Sequence, residues 1–284
     1  MLGDGWCGKI KNTILQKEEN AMKFLILFIV AMLISSIGFK KFVWFISLGY
    51  GFSIAGLGIA IIVMFAERLT PLTLIMSILF IVYGCRLGGY LLIREKRSTS
   101  YQSTMKNEIK DGSNMNFILK IVVWAICALL YCCEVSPVFF RLENGTKTDV
   151  VAIIGAVVMA LGIVLESAAD FTKNRFKKKH PKQFCNVGLF KIVRCPNYLG
   201  EVLIWTGAFL SGVTALHGVL QWAVALVGWI CIVYIMFGGA RRLEIRQNKN
   251  YGNDPEYQKY VKATPILIPL IPLYSVEKYK WLVG

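Results

Sequence analysis

The chain has 284 residues, 56% of them hydrophobic and 17% charged, with a formal net charge of +15. Soluble domains are about a quarter charged, so this composition and a mean hydropathy of +0.55 exclude an ordinary soluble globule. The cations lie beside apolar runs, which points to anionic lipid head groups as their partner and away from nucleic acid.

Residues 1–21 precede the first apolar run and carry no small-residue cleavage site before or after it. They are expected to be an extramembrane segment, either a short helix or a leader. Apolar runs then predict spans at 22–39, 42–65, 69–93, 117–140, 150–170, 199–216 and 219–240. No run alternates with a period of two, so the predicted fold class is an all-α integral membrane bundle of about seven transmembrane helices. His217 and Gly218 alone separate the last two spans, which predicts a tight helical hairpin. The polar stretch 95–116 is expected to be a mobile loop.

Alternating these spans across the membrane leaves seven Lys and Arg on the side of the N-terminus and twenty-three on the other. The bias predicts an N-terminus outside and a C-terminus in the cytoplasm. By organisation, 22–140 forms a substrate side of four helices. Residues 141–284 hold three more, the cytoplasmic loops and a tail.

Eight cysteines carry no CxxC pair, and His180 and His217 are the only histidines, so no metal site is expected. Ionisable groups in or at the ends of spans are the functional candidates: Glu67, Arg86, Glu134, Glu166, Asp170 and Glu201. Glu166 and Asp170, four apart, share a helix face. Glu201 opens the sixth helix just behind Asn197 and Tyr198. Between Asp170 and Asn197 lies a run with eight cations and no acid, suited to phosphate where a helix N-terminus follows. Anchoring on anionic lipid explains that run equally well when it is taken alone. In the tail, YGNDPEYQKY predicts a turn and a short amphipathic helix. PILIPLIPLY has too many prolines for a helix and is expected to lie along the interface, where the tail would close the site as a lid.

The stretch VGLFKIVRCPNYLGE resembles the signature of the steroid 5α-reductase C-terminal family, at Gly188, Leu189, Phe190, Asn197, Tyr198, Gly200 and Glu201. Cys195 stands where many bacterial members have His. ESAADFTKNRFKKK and YGCRLGGY are similar to two further family segments. The resemblance implies a membrane-embedded, NADPH-dependent reduction of a conjugated C=C bond in a lipophilic enone, such as a 3-oxo-Δ4-steroid-like lipid. Tyr83 would polarise the carbonyl, paired with a second-helix acid for which Glu67 is the candidate. That acid lies about 20 Å from Tyr83 in depth unless the hairpin bends. Arg86 and Tyr90 would lie near the cofactor. Glu166, Asp170, Asn197, Tyr198 and Glu201 would hold its polar parts, and Arg175, Lys177 and Arg194 its phosphates, with Arg242 and Tyr251 contributed by the tail region. Two alternatives stay open. One is an S-adenosylmethionine-dependent methyltransferase of the isoprenylcysteine carboxyl type, with Glu244 on the cofactor amine. The other is a non-catalytic relative.

Overall fold

The computed structural model describes residues 4–97 and 115–283, with side chains for 18–96 and 115–283. Most of the segment expected to be a mobile loop lies outside the described residues, as do residues 1–3. The helices are α1 (Asp4–Ser35), α2 (Leu48–Met64), α3 (Pro71–Arg97), α4 (Phe117–Glu143), α5 (Val150–Lys179), α6 (Pro196–Val213), α7 (Gly218–Tyr251) and α8 (Pro255–Ala263). There is no strand among the described residues. Stretches in α1–α5 and α7 make six helices long and apolar enough to cross a membrane, so the chain is a multi-pass membrane protein. The predicted sixth span is the helix α6. Its 18 residues reach about 27 Å, and Pro196, Asn197 and Glu201 make its start too polar for it to join the six.

Two differences from the sequence reading have local causes. The expected extramembrane segment is continuous with the first span, since α1 starts at Asp4 while its apolar stretch is Glu18–Phe39. Helix α5 runs nine residues past Asp170, because FTKNRFKKK holds no breaker and Pro181 follows only after the C-cap residue His180.

The described chain clusters into two compact units. The first takes residues up to Thr148 with Ala215–Gly228. Here α2 and α3 approach closely at glycines. A methyl added at Gly51 would sit 2.7 Å from the Gly88 nitrogen, and one at Gly84 would sit 2.5 Å from the Ala55 nitrogen. Tyr131 of α4 donates to the Phe45 carbonyl (2.5 Å), and Trp124 Nε1 donates to the Met32 carbonyl of α1 (3.0 Å).

The second unit, Asp149–Thr214 with Trp229–Gly284, is built on the antiparallel pair α5 and α6. Side chains gain little by leaving lipid for another helix, so such pairs depend on close packing. Gly155 and Gly162 on α5 face Gly207 and Gly200 on α6. A methyl at Gly155 would lie 2.6 Å from the Gly207 carbonyl oxygen, and one at Gly162 would lie 2.7 Å from that of Gly200. Asp149 closes one end of the pair. One oxygen caps α5 through Ala152 N–H (3.0 Å), and the other accepts from Thr214 at the end of α6 (2.6 Å).

After α8 the tail is not helical and straps back over the N-terminus of α6 and the last turns of α7. The backbone amides of Arg194 and Cys195 donate to the carbonyls of Pro265 and Ile266 (2.9 and 3.0 Å). Cys195, Ala240, Leu243, Ile266, Leu267 and Val276 are buried together beneath it. Below the strap, Arg194 pairs with Glu244 at 2.8 Å, each side chain 1% exposed. Arg194 also donates to the Tyr274 carbonyl, and Glu244 Oε2 accepts from Val276 N–H (2.8 Å). The strap is therefore pinned to a buried ion pair.

Replacing Gly207 by Val should destabilise the protein by about 1–3 kcal/mol through overpacking, read as a lower melting temperature in detergent. Arg194→Met strands a buried carboxylate and should cost about 3–5 kcal/mol. Trypsin should then cut at Lys278 much faster than in the wild type; unchanged cleavage would show that the pair does not hold the strap.

Candidate functional site

The polar groups of the second unit converge at the end of α5 and α6 that the strap covers. Gly200 brings α6 against α5 so closely that an added methyl would lie 2.7 Å from Glu166 Cβ. Glu166, one turn past Gly162, thus lies beside the first turn of α6, and Asp170 follows on the same face. Glu166, Asp170 and Glu201 are all buried. Trp205 Nε1, one turn on, donates to Glu201 Oε1 (3.3 Å). Cys195 precedes Pro196 at the start of α6 and offers no side-chain cap, so the first-turn amides keep their donor character. Asn197 Oδ1 is a buried acceptor with no hydrogen-bond donor among the described residues. Such an atom costs free energy unless a ligand or water supplies the donor.

Above this cluster the basic run divides. Lys177, seven residues after Asp170, returns to its face. It donates to Tyr251 Oη (2.9 Å) and to the Gln183 carbonyl. Tyr251 packs with Phe184 and Tyr257, ring centroids 5.9 and 5.8 Å away. Arg175 lies about 140° around the helix from Asp170, exposed on a cavity of about 300 Å³ with Phe171, Thr172, Phe176, Lys179 and His180. Arg175 and Lys177, grouped by sequence, thus face different surroundings. Arg194 is committed to Glu244 beneath the strap and Arg242 is exposed. Tyr198 packs against Gly239 of α7, where an added methyl would meet its ring at 3.4 Å. Burial pushes the Cys195 thiol up to about 12, which keeps it protonated, and it serves as packing. Burial likewise pushes the Tyr257 phenol up to about 12, with Arg194 opposing and Glu244 adding to the shift.

In the first unit, Tyr83 is fully buried on α3, and its hydroxyl donates to Tyr50 of α2 (3.1 Å). The Tyr50 ring lies 5.2 Å from that of Tyr131. Arg86 sits over the Tyr90 ring at 5.8 Å and Arg94 over the same ring at 5.6 Å. Glu67 is exposed in the turn after α2, at the far end of α3 from these groups. The residue that meets Tyr83 from the second helix is therefore Tyr50. Sequence reasoning missed it because a lone tyrosine among glycines has no motif. It also missed the Arg194–Glu244 pair, whose members are fifty positions apart. The sequence had offered Glu244 to a cofactor amine, but Arg194 and Val276 N–H engage both of its oxygens.

No solved structure matches the chain significantly. Over 87 residues it is 30% identical to the steroid 5-alpha-reductase DET2 of Arabidopsis thaliana, covering 30% of this chain and 28% of that protein. Over 77 residues it is 34% identical to an uncharacterized protein of Schizosaccharomyces pombe, covering 27% of this chain and 21% of that one. Each match spans less than a third of the relative's length. The first is consistent with a steroid reductase-like family. The family described as a protein of unknown function, DUF1295, matches residues 27–264, most of the chain, and the protein belongs to that family.

Proposed function

We propose that the protein is a membrane-embedded, NADPH-dependent reductase of a C=C bond conjugated to a ketone in a lipophilic substrate. The observation that carries this reading is Asn197 Oδ1, a buried acceptor awaiting a donor at the start of α6. Around it stand three buried carboxylates and the cations of α5. A dinucleotide fits this donor set. Its amide and ribose hydroxyls suit Asn197, Glu201, Glu166 and Asp170, while its phosphates suit Lys177 and the uncapped first turn of α6, with Arg175 on a different side of α5. Tyr198, Tyr251, Arg86, Tyr90, Arg194 and Arg242 complete the proposed set, Arg194 acting through the strap. The partial similarity to a steroid 5-alpha-reductase supports the reaction class. The distribution of cations supports a cytoplasmic cofactor end and an outer N-terminus.

When bound, the dinucleotide supplies the hydride that adds to the substrate's β-carbon, and a proton then adds at the α-carbon. Tyr83 donates a hydrogen bond to the carbonyl oxygen, where negative charge develops. For that, the Tyr83 proton turns from Tyr50 to the substrate and the Tyr50 hydroxyl donates to the Tyr83 oxygen instead, in the place that the resemblance gives to an acid, while Glu67 is left to the exposed turn.

NADPH should raise the melting temperature of the purified protein more than NADH does, and S-adenosylmethionine should not raise it. Asn197→Ala and Glu201→Ala should each weaken NADPH binding about tenfold or more. Stabilisation by S-adenosylmethionine alone would replace this reading with a methyltransferase, and no response to any of the three would remove the cofactor assignment. With a steroid enone as substrate, Tyr83→Phe should lower kcat about 100- to 1,000-fold at unchanged NADPH affinity. Tyr50→Phe should lower it only about tenfold. Equal losses of nucleotide affinity in both variants would make these tyrosines structural.

A further inference from the structure

A second polar site lies in the first unit, lined by none of the residues assigned above. The α1–α2 turn and the first turn of α4 enclose a cavity of about 360 Å³, lined by Gly38, Phe39, Lys40, Lys41, Phe42, Trp44 and Lys120. Its level is fixed by the spans, since Phe39 ends the first, Phe42 starts the second and Lys120 lies in the first turn of the fourth. Alternating helices bring these three ends to the same side, at the boundary between hydrocarbon and water. Glu95, near the end of α3, orders one wall: it accepts from Lys41 Nζ (2.5 Å) and, through its other oxygen, from Trp44 Nε1 (2.7 Å). That pairing offsets the charge of Lys41. The ammonium groups of Lys40 and Lys120 have no hydrogen bond or ion pair among the described residues. Among the described residues, two cations thus border one recess without a counterion, beside the aromatic residues Phe39, Phe42 and Trp44.

We infer that this cavity binds the phosphate group of an anionic membrane phospholipid. The two free ammonium groups match the phosphodiester charge, and the rings offer a surface for the glycerol backbone and upper acyl chain, where Trp and Phe are favoured in bilayers. The cavity has room for a head group, and its level admits a ligand arriving within the membrane plane. A soluble phosphate shares the charge chemistry but makes no use of the aromatic wall.

Native mass spectrometry of the full chain with palmitoyl-oleoyl phosphatidylglycerol or phosphatidylcholine tests the assignment. The wild type should retain phosphatidylglycerol in preference to phosphatidylcholine. Lys40→Gln with Lys120→Gln should weaken that retention about 30-fold, roughly fivefold per lysine. Lys40→Arg with Lys120→Arg should keep it, and Lys278→Gln with Lys280→Gln, an equal charge change elsewhere, should leave it intact. Equal retention of the two lipids, or full retention in the Gln double variant, would overturn the inference. Displacement of the lipid by millimolar inorganic phosphate would overturn the lipid as ligand and assign the site to soluble phosphate. Should the Gln double variant fail to fold, Lys120→Gln alone carries the test, with a fivefold loss expected and no loss counting against the site.

Discussion

The second unit depends on the contact of two backbones. Inside a bilayer an apolar side chain gains almost nothing by exchanging lipid for a neighbouring helix, so close association needs another source. Gly155 and Gly162 against Gly207 and Gly200 supply it by letting main-chain atoms of α5 and α6 touch. The carboxylates owe their positions to that contact. Glu166 lies against Gly200 because nothing larger intervenes, and Asp170 follows one turn later on the same face. With a wider helix separation, the same residues would lie on a looser surface open to water.

At the end of this pair the molecule gathers polar groups that the membrane otherwise disfavours, and it treats them in two ways. Arg194 and Glu244 are neutralised inside the protein, where they hold the strap through Tyr274 and Val276. Mutual attraction and main-chain hydrogen bonds offset part of their cost of burial, since Arg194 Nε and Nη1 are buried with no hydrogen-bond partner among the described residues. Asn197 keeps a buried acceptor at the helix start with no donor among the described residues. One set of groups thus serves the architecture, and the other is left available for a ligand. The aromatic cluster of Phe184, Tyr251 and Tyr257, with Lys177 donating to Tyr251, joins the basic run to the tail region.

The helical class and most span positions were legible in the sequence because apolar runs of this length have few other uses. The tight turn at His217–Gly218 was legible too. Gly218 adopts φ +69°, and Gln221 accepts from the His217 amide at 2.7 Å. The tail could be read from its prolines and from the Asp254 cap that starts α8. Less visible was where α5 would stop, since a cationic run can continue a helix as readily as form a loop. Partners distant in sequence were not legible. The pairing of Arg194 with Glu244 and of Tyr83 with Tyr50 depends on how helices are rotated against one another, which no local pattern records. The separation of Arg175 from Lys177 was implicit in helical periodicity, but only once the helix was known to continue through them.

The glycine contacts also act as a ruler. Glu166 lies four residues past Gly162, and Asn197 three before Gly200. One residue inserted within either short interval would rotate the polar group by about 100° and shift it by about 1.5 Å, with the backbones already touching and unable to slide in compensation. Between Lys179 and Cys195 the count is held differently, by buried side chains such as Phe184, Cys185 and Phe190 and by the Tyr260 hydroxyl donating to the Phe190 carbonyl (2.6 Å). The two intervals should therefore keep their length among related chains even where the residues within them change.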